Sequence, residues 1–150
     1  MDEIQMRRLV QNARVARVGT TDERGRVHLV PVTFVVRDDI WYSPSDAGPR
    51  MAKRLRNLER DPRVTVLIDV YDEDWSKVWW VRLRGRGRVI EDSSERERAR
   101  GLLGEKYPRS TRRPPTKAVG RSWRWISRDG PAGPMLADRG QCSCSTLNRS

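Results

Sequence analysis

The stretch from Val78 to Ile90, VWWVRLRGRGRVI, alternates between two kinds of side chain. One series starts at Trp79 and continues with apolar or small residues, whereas the other starts at Trp80 and continues with arginines. A period of two predicts a long β-strand with one buried face and one face toward solvent. Gly85 and Gly87 lie on the buried face, where they predict the close approach of another backbone or ring.

Several other segments also predict strands. ARVARVGTT and the run from Val27 to Val36 flank a turn in which Gly25 can take a positive φ. We expect the second run to be one long strand, with an edge, a bulge or a bend at Pro31. A hairpin then leads into a strand from Ile40 to Ser43, so that these strands form a meander. The apolar run from Arg63 to Val70 predicts a central strand.

Three helices are predicted between and before these strands. The first runs to about Asn12, and the second carries an apolar stripe of Met51, Leu55 and Leu58 before it ends at Asp61-Pro62. The third, SSERERARGLLGEKY, contains Ser94 and Glu97 at the spacing of a capping box. The order of elements, β-β-β-α-β-β-α, predicts a mainly β, α+β fold in which a small barrel of mostly antiparallel strands has helices packed outside it.

Length and composition limit the class of protein. A chain of 150 residues is about one domain, and it has no apolar run long enough for a membrane helix. The acidic N-terminus has no apolar core of a signal peptide, so we expect a cytoplasmic protein. The two cysteines, Cys142 and Cys144, stand two residues apart without clustered histidines, and therefore predict neither a disulfide framework nor a metal site.

The positive charge of the chain is concentrated at one end. A net charge of +11 invites a nucleic-acid-binding hypothesis, in which tryptophans would stack on bases. Residues 109–150 hold 9 basic and 2 acidic residues, which leaves only +4 on residues 1–108. We therefore expect a folded domain over 1–108 and a basic tail over 109–150, poorly ordered unless a partner subunit holds it.

No arrangement of side chains predicts acid–base or nucleophilic catalysis. His28 is the only histidine, and its place among strand residues favours a structural or surface role. Asp72, Glu73 and Asp74 predict a solvated acidic turn. RGRGR, from Arg84 to Arg88, lies inside a strand pattern and not before a helix, so it does not predict a phosphate loop.

The remaining chemical signal is a group of cations. Arg50, Lys53 and Arg54 come at the start of the second predicted helix, after a Gly-Pro turn. A helix N-terminus offers unpaired N–H groups and the positive end of the helix dipole, which together favour a phosphate. The alternative is an ordinary charged helix face exposed to water.

Three motifs connect these residues to a known family. ARVGTTDERGRVHLVPVTF, KRLRNLERDPRVTVLID and the pair DW…WWVRLRG resemble the pyridoxamine 5′-phosphate oxidase-like split β-barrel proteins. Within that group the chain is most similar to a branch of deazaflavin (coenzyme F420)-dependent oxidoreductases, over about residues 13–107. The segment after KYP departs from the usual apolar final strand of the family.

The resemblance implies a split β-barrel, a homodimer with cofactor sites at the subunit interface, and a hydride transfer between F420 and a small-molecule acceptor that the sequence does not identify. No catalytic side chain is implied, because the cofactor carries the chemistry. FMN is the alternative cofactor, and a protein that binds its cofactor without turnover is a further alternative. By position, Val32, Thr33 and Phe34 would lie along the ring, Ser43, Arg50, Lys53 and Arg54 would hold the phosphate, and Trp79 and Trp80 would wall the pocket from either subunit.

Overall fold

The computed structural model describes residues 3–38, 40–45 and 52–108, and the backbone alone of residues 121–127 and 137–140. In this part of the chain, helices and strands follow one another in nearly the predicted order. A short 3₁₀ turn (Trp75–Lys77) precedes the longest strand. The helices are α1 (Glu3–Asn12), α2 (Lys53–Arg60) and α3 (Ser93–Lys106), and the strands are β1 (Ala16–Thr21), β2 (Val27–Val32), β3 (Val35–Arg37), β4 (Ile40–Ser45), β5 (Arg63–Val70), β6 (Trp79–Val89), β7 (Arg121–Ser127) and β8 (Ala137–Gly140).

The strands form one antiparallel sheet in the order β2-β1-β5-β6-β7-β4-β3, with β8 paired to β6. The predicted fold class is confirmed: this is an α+β split β-barrel with helices at its flanks. β5 pairs with β1 and β6, as expected for a central strand. The backbone of β7 lies between β6 and β4 and so joins the two groups of strands.

The prediction of one strand over Val27–Val36, and of a simple meander, is wrong at Thr33 and Phe34. The chain leaves β2 there and starts β3 at the opposite end of the sheet order. The hydroxyl of Tyr107 explains the break, because it accepts a hydrogen bond from the Phe34 N–H at 3.0 Å and lies 2.9 Å from the Phe34 carbonyl oxygen. These contacts replace the ladder bonds that a continuous strand would need. Pro31 lies on β2, which pairs only with β1 among the described strands.

The main core is formed by the inner faces of β1, β5 and β6 together with residues from α1 and α2. β6 follows its predicted alternation, since Val81 and Leu83 are buried while Arg84 is exposed. Phe34 and Trp41 stack in this core with their ring centroids 3.8 Å apart. A second, smaller cluster lies under α3. The core therefore holds the start of β3 and the two long strands in fixed positions relative to α2.

Two details of the helices differ from the sequence predictions. α3 is capped by Asp92, whose carboxylate accepts a hydrogen bond from the Glu95 N–H at 2.7 Å, so the predicted capping box of Ser94 and Glu97 is wrong by two residues. Asp92 is the better acceptor because its carboxylate is charged and faces the positive end of the helix dipole. Met51, predicted in the stripe of α2, lies outside the described residues.

Candidate functional site

The start of α2 carries two of the predicted phosphate-binding cations, Lys53 and Arg54. Ala52 is the N-cap residue of this helix, and no side chain caps it. An alanine cap leaves N–H groups of the first turn without the side-chain acceptor that serine or aspartate would supply. The helix therefore combines a positive dipole end with two cationic side chains. Arg50, the third predicted cation, lies outside the described residues.

Lys53 is held by a carboxylate in the turn between β1 and β2. Its Nζ lies 3.4 Å from Oδ2 of Asp22, which is nearly buried. Asp22 also accepts hydrogen bonds from the Arg26 N–H at 3.0 Å and from the Arg24 N–H at 2.9 Å. These bonds, with that from the Arg26 backbone the strongest, hold the pKa of Asp22 well below its usual range. Asp22 is thus a charged anchor for Lys53 at neutral pH.

Arg54 and Ser43 connect α2 to the strands beside it. Nη2 of Arg54 donates to the Pro44 carbonyl oxygen at 3.2 Å, and Oγ of Ser43 donates to the Thr33 carbonyl oxygen at 2.8 Å. Ser43 is completely buried, so its hydroxyl bonds to backbone in this structure and does not face solvent. Arg54, Ser43 and Thr33 therefore lie along one connected path between the helix start and the β2–β3 link.

The three residues predicted to lie along a cofactor ring have different surroundings. Val32 is buried in the main core, Thr33 is exposed, and Phe34 is buried. One face of the Phe34 ring stacks on Trp41, and Nζ of Lys106 lies 3.9 Å from the Phe34 centroid. A ring has only two faces, so Lys106 covers the face that Trp41 leaves open. Thr33 is consequently the one of the three whose side chain reaches the surface.

Burial gives Lys106 an unusually low pKa. Desolvation lowers the pKa of Lys106 to about 8, with a smaller contribution from the nearby Arg14 guanidinium. Arg14 stacks over the ring of Tyr107, with Cζ 4.7 Å from the centroid. Lys106 thus contacts the ring of Phe34, and Arg14 contacts the ring of Tyr107, whose hydroxyl holds the β2–β3 link.

Trp79 and Trp80 lie away from the cations of α2. Trp79 pairs with Val70 at the start of β6. The end of β1 that approaches α2 lies further along the sheet, where Gly19 pairs with Thr65 and Thr65 pairs with Arg84. Five residues of strand separate these levels, or about 17 Å. Trp79 packs against the core and lines a cavity of about 450 Å³ beside α1, and Trp80 carries the Arg82 guanidinium 5.7 Å from its ring centroid. Within one chain, the fold does not bring the tryptophans and the cations together.

His28, for which the sequence favoured a structural or surface role, also lies in this region. It pairs with Thr20 across β1 and β2, next to the start of α2. Desolvation lowers the pKa of His28, and the charges of Lys53 and Arg54 lower it further. A strand residue and a helix residue 25 positions apart give no periodic signal, so only the tertiary fold reveals that they are neighbours.

The acidic residues after β5 form a surface turn. Asp72, Glu73 and Asp74 form the predicted surface turn, in which Asp72 accepts from the Asp74 N–H and Asp74 accepts from the Ser76 N–H. Among the described residues there is no group of three histidine, cysteine, aspartate or glutamate side chains that could hold a metal ion. No helix in the described part is both long enough and apolar enough to cross a bilayer.

Solved structures of several proteins share this fold. A conserved hypothetical protein from Mycobacterium tuberculosis superposes with a TM-score of 0.71 at 22% identity, covering 85% of this chain and 81% of the other. The heme storage protein of Vibrio cholerae gives 0.65 at 18% identity, with 85% and 91% covered. The FAD binding protein of Mycobacterium smegmatis gives 0.62 at 16% identity, with 93% and 95% covered.

Sequence comparison identifies the family as well as the fold. None of the curated proteins with which the chain was compared matches it. The family model described as pyridoxamine 5′-phosphate oxidase matches residues 3–127, which includes every strand of the sheet from β1 to β7. The predicted relationship is confirmed, and the chain belongs to the pyridoxamine 5′-phosphate oxidase family.

Proposed function

We propose that this protein binds a phosphate-bearing flavin-type cofactor and acts as an oxidoreductase on a small molecule. The finer proposal is a deazaflavin-dependent enzyme that uses F420, with FMN as the alternative cofactor. Membership of the family and a fold shared with the FAD binding protein of Mycobacterium smegmatis support the general class. The motifs around β2, α2 and β6 support the deazaflavin branch.

The observation that carries this proposal is the start of α2. Lys53 and Arg54 stand at a helix N-terminus that no side chain caps, next to the link that holds Thr33. A phosphate needs N–H donors and cations, and both are present there. An uncapped, doubly cationic helix start is unfavourable by itself, because like charges repel and the dipole end favours an anion. A bound phosphate would remove both costs.

Different residues would bind the phosphate and the ring of the cofactor. Lys53, Arg54 and Arg50 would hold the phosphate, with Lys53 kept in place by Asp22. Val32 and the exposed Thr33 would lie beside the ring, and Phe34 would support them from the core. Ser43 would contact the phosphate only if its hydroxyl exchanged the hydrogen bond to the Thr33 carbonyl oxygen for one to a phosphate oxygen. When bound, a flavin or deazaflavin supplies hydride transfer, so the protein needs no catalytic base of its own.

The number of cations favours F420 over FMN. Arg56 and Arg60 continue the basic run of α2 beyond Lys53 and Arg54, and Arg56 is exposed. A cofactor whose tail carries several negative charges would gain from this field, whereas FMN ends at a single phosphate. Arg60 contributes less, because its Nη2 donates to the Thr21 carbonyl oxygen at 2.8 Å.

We also propose that the active unit is a homodimer. Because Trp79 lies about 17 Å and Trp80 about 14 Å along β6 from the level at which β1 approaches α2, we infer that they wall the same pocket from a second subunit. The outer face of β2 supplies an apolar surface for contact between copies, since Val27 is 70% and Leu29 is 63% exposed. Edge strands with apolar outer faces are typical sites of association between chains.

A titration of the purified full-length protein tests the cofactor proposal. F420, FMN and FAD are added separately, and binding is followed by quenching of cofactor fluorescence. We expect micromolar dissociation constants for F420 and weaker binding of FMN. Absence of binding by all three would refute the proposed function. Binding of a cofactor without its reduction or oxidation in the presence of hydride donors and acceptors would instead favour a carrier, a role for which the fold of a heme storage protein is a precedent.

A further inference from the structure

The side chain of His28 points to the face of the sheet that α2 covers. His28 stands directly opposite Thr20 in the antiparallel pair β1–β2, and residues at opposed positions place their side chains on the same face. Thr20 is buried on that face, where its Oγ1 accepts a hydrogen bond from Nδ2 of Asn57 at 3.0 Å. His28 therefore lies beside α2, at the outer edge of the described sheet, and is only partly buried.

Lys53 lies on the same side of α2 as the contact with Thr20. Lys53 precedes Asn57 by four residues, so the two side chains lie one above the other on one face. Asn57 contacts Thr20, and Lys53 reaches Asp22, which follows β1 directly. This places Lys53 one helical turn from the Thr20–His28 pair, on the side of the helix start. Lys53 and Arg54 are both near enough to oppose a positive charge on His28.

The charged residues in the neighbourhood of His28 belong to α2 and to the turn between β1 and β2. Lys53 and Arg54, which act on His28, belong to α2. Asp22 and Arg26 belong to the nearby turn between β1 and β2, and the neighbours on β1 and β2 are uncharged at Thr20 and Val30. Asp22 offers little compensation to the histidine, because its carboxylate already bonds to Arg26 and to Lys53. In the free protein, His28 is therefore a neutral imidazole among cations at pH 7.

We propose that His28 completes the anion-binding site with Lys53 and Arg54, and contacts the phosphate group of the cofactor as a proton-dependent third ligand. This inference rests on the proposed function and adds a residue and a pH dependence to it. An anion between the three side chains reverses the local field, so that the protonated imidazole changes from repelled to attracted. The ring can then donate a charge-assisted hydrogen bond to a phosphate oxygen.

The direction of the pH effect follows from linkage. A lowered pKa in the free protein and a raised pKa in the complex mean that binding takes up a proton between these two values. Affinity then increases as the pH falls through this interval, by about tenfold for each unit by which binding raises the pKa. The phosphate of FMN titrates near pH 6 itself, so the contribution of His28 is the difference between the wild type and His28→Gln at each pH.

The chain has a single histidine, which makes the test direct. Proton NMR follows the imidazole C–H signals of the full-length protein through a pH titration, first alone, then saturated with F420, with FMN and with inorganic pyrophosphate. We expect a pKa below 6.5 in the free protein and a rise of at least one unit with cofactor. We also expect the ratio of the FMN dissociation constants of His28→Gln and wild type to increase about tenfold from pH 8 to pH 6.

The outcomes separate the inference from the proposed function. Tight cofactor binding with an unchanged His28 pKa would overturn the role of His28 and leave the proposed function standing. If no cofactor binds, the proposed function fails, and the pyrophosphate titration decides the inference alone. A raised pKa with pyrophosphate would then support an anion site containing His28, and an unchanged pKa would overturn it.

Discussion

At the scale of single residues, Tyr107 determines the path of the chain at the candidate site. Its hydroxyl accepts from the Phe34 N–H and lies 2.8 Å from the Arg14 carbonyl oxygen, so one side chain links the entry of β1, the start of β3 and the end of α3. The sequence could not reveal this role, because the residues it joins are separated by up to 93 positions. The folded sheet brings the backbone groups of Arg14 and Phe34 to this hydroxyl.

Replacement of Tyr107 by phenylalanine tests this role. The ring still fills its place, but the buried Phe34 N–H loses its acceptor, and we expect the free energy of unfolding to fall by about 1–3 kcal/mol. Urea unfolding measures the change. Tyr71→Phe is the matched control, because Tyr71 is exposed and its substitution should change the free energy by less than about 0.5 kcal/mol. Equal effects of the two substitutions would contradict the assignment.

At the scale of elements, the periodic strands and helices were predictable, whereas the strand break and the helix cap were not. The alternation in β6 and the apolar stripe of α2 gave the correct elements, because one buried face imposes a fixed period on each. The break at Thr33 and the cap of α3 depend on single hydrogen bonds, which leave no period in the sequence. Ser94 fits the pattern of a cap, but Asp92 stands two residues earlier and competes successfully for the same helix end.

The cap of α3 can be tested with two alanine substitutions. We expect Asp92→Ala to lower the urea midpoint more than Ser94→Ala, since Asp92 accepts from the Glu95 N–H and from the Ser94 hydroxyl. The Ser94 hydroxyl, followed by the Glu95 N–H, lowers the pKa of Asp92 below 3.8 in the folded protein. The stabilisation is therefore present above pH 3.8 and is lost as the pH falls through the lowered pKa. A difference between wild type and Asp92→Ala that persists at the lowest pH would contradict this cause.

At the scale of the whole molecule, the sheet places the tryptophans and the described cations of the predicted site at different levels. The family resemblance named Lys53, Arg54, Trp79 and Trp80 together, although the tryptophans lie about 14 to 17 Å along β6 from the level at which β1 approaches α2. A sequence motif records which residues a site uses but not which subunit supplies them. The cations, Thr33 and Ser43 are connected through hydrogen bonds within one chain, and the tryptophans are assigned to the partner as part of the proposal.

The proposed dimer predicts the effect of a charge on the outer face of β2. Leu29→Lys should convert a species of about twice 17.4 kDa into one near 17.4 kDa in sedimentation velocity, because a buried unpaired charge disrupts an apolar contact. Ile4→Lys on α1 is the control, since Ile4 is also strongly exposed but lies away from β2. A monomeric wild type, or a dimer unaffected by Leu29→Lys, would contradict the proposed interface.

The central claim is that the start of α2 binds the phosphate of a flavin-type cofactor. The most direct test compares the dissociation constants of F420 and FMN for wild type, Lys53→Met and Arg56→Met, at one pH and ionic strength. Both substitutions remove one positive charge from α2, but only Lys53 belongs to the cluster with Asp22 and Arg54. We predict that Lys53→Met weakens binding by about tenfold to a hundredfold, the loss of one charge-assisted hydrogen bond, and that Arg56→Met changes the FMN constant less than threefold. Equal changes of the FMN constant for the two variants would contradict a specific phosphate site at the start of α2.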